Sequence, residues 1–180
     1  DGLVECDGRN LVELPSEEMK WLRGPSLGMV FQEPMTRLDP LMRVSAHFAE
    51  ALRTHEPELS DTEVRRRSLD ALAGMGIPPT RFGNYPYEFS GGMRQRILIA
   101  LTLVLGPKFV VADEPTTALD VLVEAQILEI LADVKRNFDT SILFITHNLG
   151  IVAEACDRVA VMYAGRVVEQ KGKNASRNQL

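Results

Sequence analysis

The segment that decides the fold is residues 109–115, FVVADEP, an apolar run that ends in two carboxylates. Two further short apolar runs, residues 27–31 and residues 141–146, are followed by Gln32 and His147. Apolar runs without alternation are typical of parallel strands that are covered on both faces. Helical patterns separate these runs along the chain. The sequence therefore predicts an α/β fold with a mostly parallel sheet.

Helical patterns fill the sequence between the apolar run at residues 27–31 and the run that begins at residue 109. Ser60 and Glu63 form a capping box that starts one helix. Ser90 opens another helix, whose residues 97–105 are apolar almost all round and must be buried. The helix that follows Asp120 has an expected buried face at Leu122, Ala125, Leu128, Leu131, Val134 and Phe138. The pattern predicts a helical subdomain inserted into a sheet-forming core.

The chain divides into four predicted parts. Residues 1–43 form the first part of the core and begin with a hairpin, and residues 44–105 form the helical subdomain. Residues 106–169 complete the core. Residues 170–180 are expected to be a polar, disordered tail.

Composition narrows the class of protein. The 180 residues are 45% hydrophobic and 25% charged, which is ordinary for a soluble globular protein. The net charge of -5 argues against binding of nucleic acid through phosphate contacts. Cys6 and Cys156 are far apart and form no CxxC pair, so we expect free thiols rather than a disulfide or a zinc site. The apolar runs are shorter than the roughly 18–20 residues that span a bilayer.

Ser90-Gly91-Gly92 stands at the start of a strongly helical stretch. A helix N-terminus offers unpaired backbone N–H groups and a partial positive charge. Glycines allow a phosphate to approach the backbone closely. The segment therefore indicates a phosphate site, although the segment taken alone is equally compatible with a plain loop.

Polar side chains follow each of the predicted parallel strands. They should meet at the carboxyl edge of the sheet, where open α/β sheets bind ligands. Such a set suits nucleotide hydrolysis, in which Asp113 holds Mg²⁺ and Glu114 polarises the attacking water. Gln32 would sense the metal and the water, and His147 would stabilise charge on the terminal phosphate. Taken singly, these residues have structural alternatives, such as a solvated turn after the strand or, for Asp120, a helix N-cap.

Five motifs in this order resemble the nucleotide-binding domain of ABC transporters. They are FQEP at residues 31–34, SGGMRQR at 90–96, VVAD at 110–113 with Glu114, TALD at 117–120 and ITH at 145–147. The resemblance runs from residue 1 to about Glu169. The segments FQEPMT at 31–36 and ADEPTTALDV at 112–121 look like the branch that imports dipeptides and oligopeptides.

The resemblance implies that ATP is held between two ATPase subunits, as a homodimer or a heterodimer. Ser90, Gly91, Gly92, Met93 and Gln95 would serve the partner's ATP, with Asp120 in the D-loop. Asp113 and Gln32 would hold Mg²⁺, while Glu114 and His147 act on this subunit's own ATP. Membrane-spanning permease subunits are the implied partners, contacted near residues 31–48, with a substrate-binding protein involved indirectly and no nucleic acid. The implied location is the cytoplasmic face of the inner membrane, as a peripheral subunit.

The phosphate-binding loop of this family, G-x-x-x-x-G-K-[ST], is not found in these 180 residues. The simplest interpretation is that the sequence begins downstream of that loop, and the alternative is a naturally degenerate subunit. We expect an apolar gap beside the sheet, where the strand before that loop belongs. We also expect that this polypeptide alone does not hydrolyse ATP.

Two other functions stay open on the sequence. One is a soluble ABC-type ATPase of DNA repair or translation, against which the importer-like segment 31–48 and the acidic charge count. The other is a non-catalytic interaction module whose signature motif completes a partner's ATP site.

Overall fold

The computed structural model describes residues 3–6, 8–31, 37–116, 121–137 and 140–172. Its strands are β1 (Glu5–Cys6), β2 (Arg9–Asn10), β3 (Leu27–Val30), β4 (Phe109–Asp113), β5 (Ser141–Ile145), β6 (Arg158–Tyr163) and β7 (Arg166–Gly172). Its α-helices are α1 (Ser16–Leu22), α2 (Val44–His55), α3 (Asp61–Gly74), α4 (Gly91–Leu103), α5 (Val121–Asn137) and α6 (Leu149–Ala155). Short 3₁₀ turns at Pro79–Arg81 and Pro86–Glu88 lie between α3 and α4.

The centre of the fold is a parallel sheet in the order β3-β4-β5. Val30 is opposite Ala112, and Asp113 is opposite Ile145, so the carboxyl ends of the strands meet at one edge. Val110 and Ala112 are almost fully buried because helices cover this part of the sheet. The predicted α/β fold with a parallel sheet is confirmed.

Two antiparallel hairpins flank the parallel sheet. β1 pairs with β2, as the turn signal near the start of the sequence predicts. β6 pairs with β7 through a turn at Ala164 and Gly165, whose φ angles are 48° and 76°. A turn with two positive φ angles matches the twist of a hairpin. β7 continues to Gly172, so residues 170–172 belong to a strand and not to the predicted disordered tail.

The edge of β5 away from β4 has no strand partner among the described residues. A cleft of ≈ 970 Å³ separates β5 from β6, and Phe144 and Val159 are among the residues that line it. On β5, Leu143 and Ile145 are 48% and 47% exposed. This open apolar edge agrees with the gap expected beside the sheet.

The helical subdomain has its own part of the core. α2, α3 and α4 pack together and fully bury Phe48, Leu52, Leu72, Ile97 and Ile99. Burial of each such side chain stabilises the fold by about 1.5–3 kcal/mol. The prediction that the helix after Ser90 is buried is therefore correct. α2 runs from Val44 to His55, within the predicted helical subdomain.

The capping box of α3 is formed only in part. Ser60 Oγ accepts from the Glu63 backbone N–H at 3.3 Å, as predicted. The Glu63 carboxylate does not return the bond but accepts from the Arg66 guanidinium at 2.6 and 2.8 Å. An ion pair with a nearby arginine has replaced the second half of the box.

The buried face of α5 agrees with the predicted one at Leu131 and Val134 but not in the first part of the helix. Ile127, Leu131 and Val134 are buried, whereas Leu122 is 78% exposed and Ala125 is exposed too. The face turned inward is set by the packing of α5 against α4, in which Val123 approaches Gly92. Phe138 lies outside the described residues. No helix in the described part of the chain has the length and apolar character needed to cross a membrane.

Candidate active site

Glu114 and His147 come together at the carboxyl edge of the sheet. Glu114 follows the last residue of β4, and His147 lies two residues past the end of β5. Because β4 and β5 are paired and parallel, both residues leave the sheet on the same side. His147 Nδ1 lies 3.0 Å from Glu114 Oε1. An ionised carboxylate only accepts hydrogen bonds, so with Glu114 ionised Nδ1 is the donor in this contact and Nε2 is left for another partner.

The backbone of Glu114 is unusual. Its φ angle is 44°, in the left-handed region that a residue with a side chain rarely occupies. The Glu114 amide donates to the Ile145 carbonyl at 2.9 Å, which extends the β4–β5 pairing by one step. The side chain is 29% exposed, whereas that of His147 is 77% exposed. Strain of this kind persists where surrounding structure holds it and clusters at functional sites.

Asp113 ends β4 directly opposite Ile145 and is partly buried. Carboxylate oxygens are the ligands that Mg²⁺ prefers, so Asp113 supplies a fitting donor for the ion. Gln32 and Asp120, the other predicted members of this region, lie outside the described residues. Within the described ranges, no group of three or more acidic, histidine or cysteine side chains forms a self-contained metal site. The donors present therefore fit an ion that takes further ligands from a bound phosphate or water.

Ser90 caps α4. Its Oγ accepts from the Met93 backbone N–H at 3.4 Å, and its ψ angle of 165° is that of an N-cap residue. The first backbone N–H groups of this helix, including those of Gly91 and Gly92, have no partner within the helix and can bind an anion. Met93 is partly buried and packs against the hydrophobic core, and its part in the phosphate site stays a prediction.

A close helix contact explains why Gly92 has no side chain. A Cβ atom at this position would lie 2.4 Å from Val123 Cγ1 on α5. Real Cβ atoms are not found at such distances, so any larger residue forces α4 and α5 apart. The same glycine therefore serves helix packing as well as the predicted phosphate site.

Gln95 corrects one of the roles that the resemblance implies. It was expected to serve a partner's ATP, but its side chain is only 1% exposed. Its Nε2 donates to the Pro115 carbonyl at 2.8 Å and to the Phe31 carbonyl at 3.4 Å. The side chain points into the molecule because these two carbonyls lie under the helix.

Sequence reasoning missed a polar cluster beside His147. Glu124 Oε1 accepts from Asn148 Nδ2 at 2.8 Å and from Thr116 Oγ1 at 3.4 Å. Asn148 Oδ1 accepts from the Gly150 backbone N–H at 2.9 Å and so caps α6. This cluster ties α5 to the loops that follow β4 and β5. Only the asparagine directly after His147 was a visible signal, since it is a cap residue before a helical stretch.

Comparisons with known proteins place the chain in a family. A family model described as ABC transporter matches residues 1–117. The oligopeptide transport ATP-binding protein OppD of Bacillus subtilis is 50% identical over 170 residues, covering 93% of this chain and 47% of that protein. The dipeptide transport ATP-binding protein DppD of Lactococcus lactis is 46% identical over 171 residues, covering 94% of this chain and 49% of that protein.

A solved structure shares the fold. The ATP-binding cassette MJ0796, in a dimeric post-hydrolysis state bound to ADP and Pi, matches with a TM-score of 0.83 and 25% sequence identity. The match covers 96% of this chain and 73% of that one. The fold is thus that of an ATP-binding cassette, and the chain belongs to the ABC transporter family. It spans about half the length of the transport ATP-binding proteins that it matches.

Proposed function

We propose that this chain is part of an ATP-binding and ATP-hydrolysing subunit that energises an ABC importer of dipeptides or oligopeptides. The observation that carries the proposal is the contact between Glu114 and His147 at the carboxyl edge of the sheet. A carboxylate that can act as a base, beside a histidine that can stabilise developing charge, suits hydrolysis of a terminal phosphate at such an edge. The similarity to proteins named for oligopeptide and dipeptide transport supports the substrate class.

The roles divide between the residues as follows. Glu114 orients a water molecule and accepts its proton during attack on the terminal phosphate. His147 holds Glu114 through Nδ1 and presents Nε2 toward that phosphate, where charge develops. Asp113, together with Gln32, would hold Mg²⁺, and the bound ion would neutralise phosphate charge.

The proposal assigns Ser90, Gly91 and Gly92 to a different ATP molecule, one bound mainly by a second cassette. The capped N-terminus of α4 offers N–H groups and a partial positive charge to that nucleotide's terminal phosphate. The sequence contains no G-x-x-x-x-G-K-[ST] segment, so these 180 residues supply no loop of that kind for the chain's own ATP. Asp120 belongs to the same proposed dimer contact.

Membrane-spanning subunits are the proposed partners on another face. Residues 31–48 are the proposed contact segment, and Leu41 within it is 84% exposed. The proposed location is the cytoplasmic face of the inner membrane, where a peripheral subunit meets its permease.

A non-catalytic module that only completes a partner's site is the second candidate. The observation in its favour is the well-formed cap of α4 in a sequence without the phosphate-binding loop motif. Both candidates predict a shared site, but only the first predicts that Glu114 acts on a nucleotide.

Binding of a fluorescent ATP analogue tests the proposal. It would be measured with this chain alone, with the Bacillus subtilis relative alone, and with their mixture. We expect tight binding in the mixture beyond the sum of the separate proteins, and a loss of this gain in Ser90→Ala. Binding in the mixture that equals the sum would contradict a shared site, and tight binding of a nucleic acid by the chain would favour the DNA-repair or translation class.

A further inference from the structure

Gln95 connects three parts of the proposed machinery through one side chain. It lies one turn into α4, the helix that Ser90 caps. Its Nε2 carries two N–H groups, and their acceptors are the carbonyls of Pro115, at 2.8 Å, and Phe31, at 3.4 Å. Because both acceptors are carbonyls, the amide can have only this orientation. The side chain therefore joins α4 to the exits of β3 and β4.

The two carbonyls belong to residues next to proposed catalytic groups. Pro115 directly follows Glu114, and Phe31 directly precedes Gln32. A shift of α4 that moves Gln95 by a fraction of an ångström is therefore transmitted to the backbone beside both groups. Hydrogen bonds of this kind are sensitive to small displacements because they weaken steeply with distance and angle.

Burial of the polar Gln95 side chain costs free energy that packing alone does not justify. The side chain is 1% exposed, and its Oε1 has no hydrogen-bond partner in the described part of the chain. An unbonded buried oxygen costs free energy that a methionine of similar volume would not incur. Packing alone thus favours an apolar residue here, and the two bonds from Nε2 are what the glutamine provides.

We propose that Gln95 is a positioning residue that couples the N-terminus of α4 to the backbone beside Gln32 and Glu114. In this account, engagement of Ser90-Gly91-Gly92 by a partner's ATP is relayed through Gln95 to this chain's own hydrolytic edge. The inference rests on the proposed function, since it assigns a link between two nucleotide sites of that function.

Hydrogen exchange measures the coupling directly. The chain would be mixed with the full-length Bacillus subtilis relative, Mg²⁺ and a non-hydrolysable ATP analogue, and exchange of the Glu114 and Thr116 amides would be followed. In the unsubstituted chain we expect engagement to slow exchange about five- to tenfold, the effect of one strengthened hydrogen bond. In Gln95→Met this slowing should disappear although the complex still forms. Gln170→Met, an exposed glutamine on β7, is the matched control and should respond like the unsubstituted chain.

The outcomes of this experiment distinguish a failure of the proposed function from a failure of the coupling role of Gln95. If the complex with nucleotide does not form at all, the proposed function fails. If the complex forms, and engagement slows amide exchange in Gln95→Met as much as in the unsubstituted chain, the proposed function stands and the coupling role of Gln95 is wrong. Should Gln95→Met not fold, the side-chain amide signal of Gln95 in the unsubstituted chain decides by NMR: a shift on engagement supports the role, and an unchanged signal contradicts it.

Discussion

His147 Nδ1 lies 3.0 Å from Glu114 Oε1, and this contact joins the ends of two neighbouring parallel strands. The register of the sheet makes the contact possible, because Asp113 is opposite Ile145 and the chain leaves both strands on the same side. The backbone of Glu114 turns through a positive φ angle to present its carboxylate there. Glu114 is therefore the residue at which the sheet pairing, the backbone strain and the proposed chemistry of the site meet.

The strain at Glu114 predicts an unusual order of stability. Glu114→Gly and Glu114→Ala both remove the carboxylate, yet at a φ angle of 44° glycine should be the more stable variant by about 1 kcal/mol. Chemical denaturation measures the difference. The control is Asp70, an exposed residue within α3, where alanine should exceed glycine by about 1 kcal/mol. Alanine above glycine at both positions would mean that Glu114 is not strained.

The serine caps of α3 and α4 predict similar effects of two substitutions on stability but different effects on ATP binding. Ser60→Ala and Ser90→Ala each remove an oxygen that accepts a backbone N–H, and each should cost about 1 kcal/mol of unfolding free energy. Only Ser90→Ala should weaken the gain in ATP binding seen on mixing with a second cassette. An equal loss of binding in both variants would attribute the effect to stability alone.

The contact between α4 and α5 predicts that Gly92 tolerates no side chain. Gly92→Ala places a Cβ atom against Val123 and should destabilise the chain by about 1–3 kcal/mol. Gly74→Ala is the control, since nothing lies within 4 Å of its Cβ position and α3 should gain about 0.5–1 kcal/mol. Thermal unfolding would show both effects. Val123→Ala should restore much of the loss in Gly92→Ala, and an absence of any rescue would contradict the packing explanation.

Arg66 predicts a pH effect on α3. Its hydrogen bond and its charge lower the pKa of Glu63 from its ordinary value. A lowered folded-state pKa contributes stability that is present above the unfolded pKa and is lost as the pH falls through the folded pKa. Arg66→Met should therefore raise the pKa of Glu63, as NMR titration would show, and reduce the loss of stability on acidification. Arg65→Met, on the same helix with its guanidinium over Phe82, is the control and should leave the Glu63 titration in place.

The elements that the sequence could predict are those with strong local signals. The parallel strands were visible as apolar runs, and the start of α4 was visible from Ser90 and the apolar residues behind it. The first turn of the buried face of α5 was predicted wrongly because Leu122 and Val123 are both apolar, and only the tertiary contact with Gly92 decides which one turns inward. Leu131 and Val134, further along the helix, are buried as predicted. The inward turn of Gln95 was equally invisible, since its acceptors are backbone carbonyls far away in sequence.

Ser90-Gly91-Gly92 is proposed to complete an ATP site held by a second cassette. The most direct test is complementation of hydrolysis. The Bacillus subtilis relative would carry an alanine at the serine that matches Ser90, so that any dimer it forms with itself lacks the motif serine. Adding this chain should restore ATP turnover, Glu114→Gln should restore it as well, and Ser90→Ala should not. Turnover that stays at background with the unsubstituted chain, or that Ser90→Ala restores equally, would contradict the account.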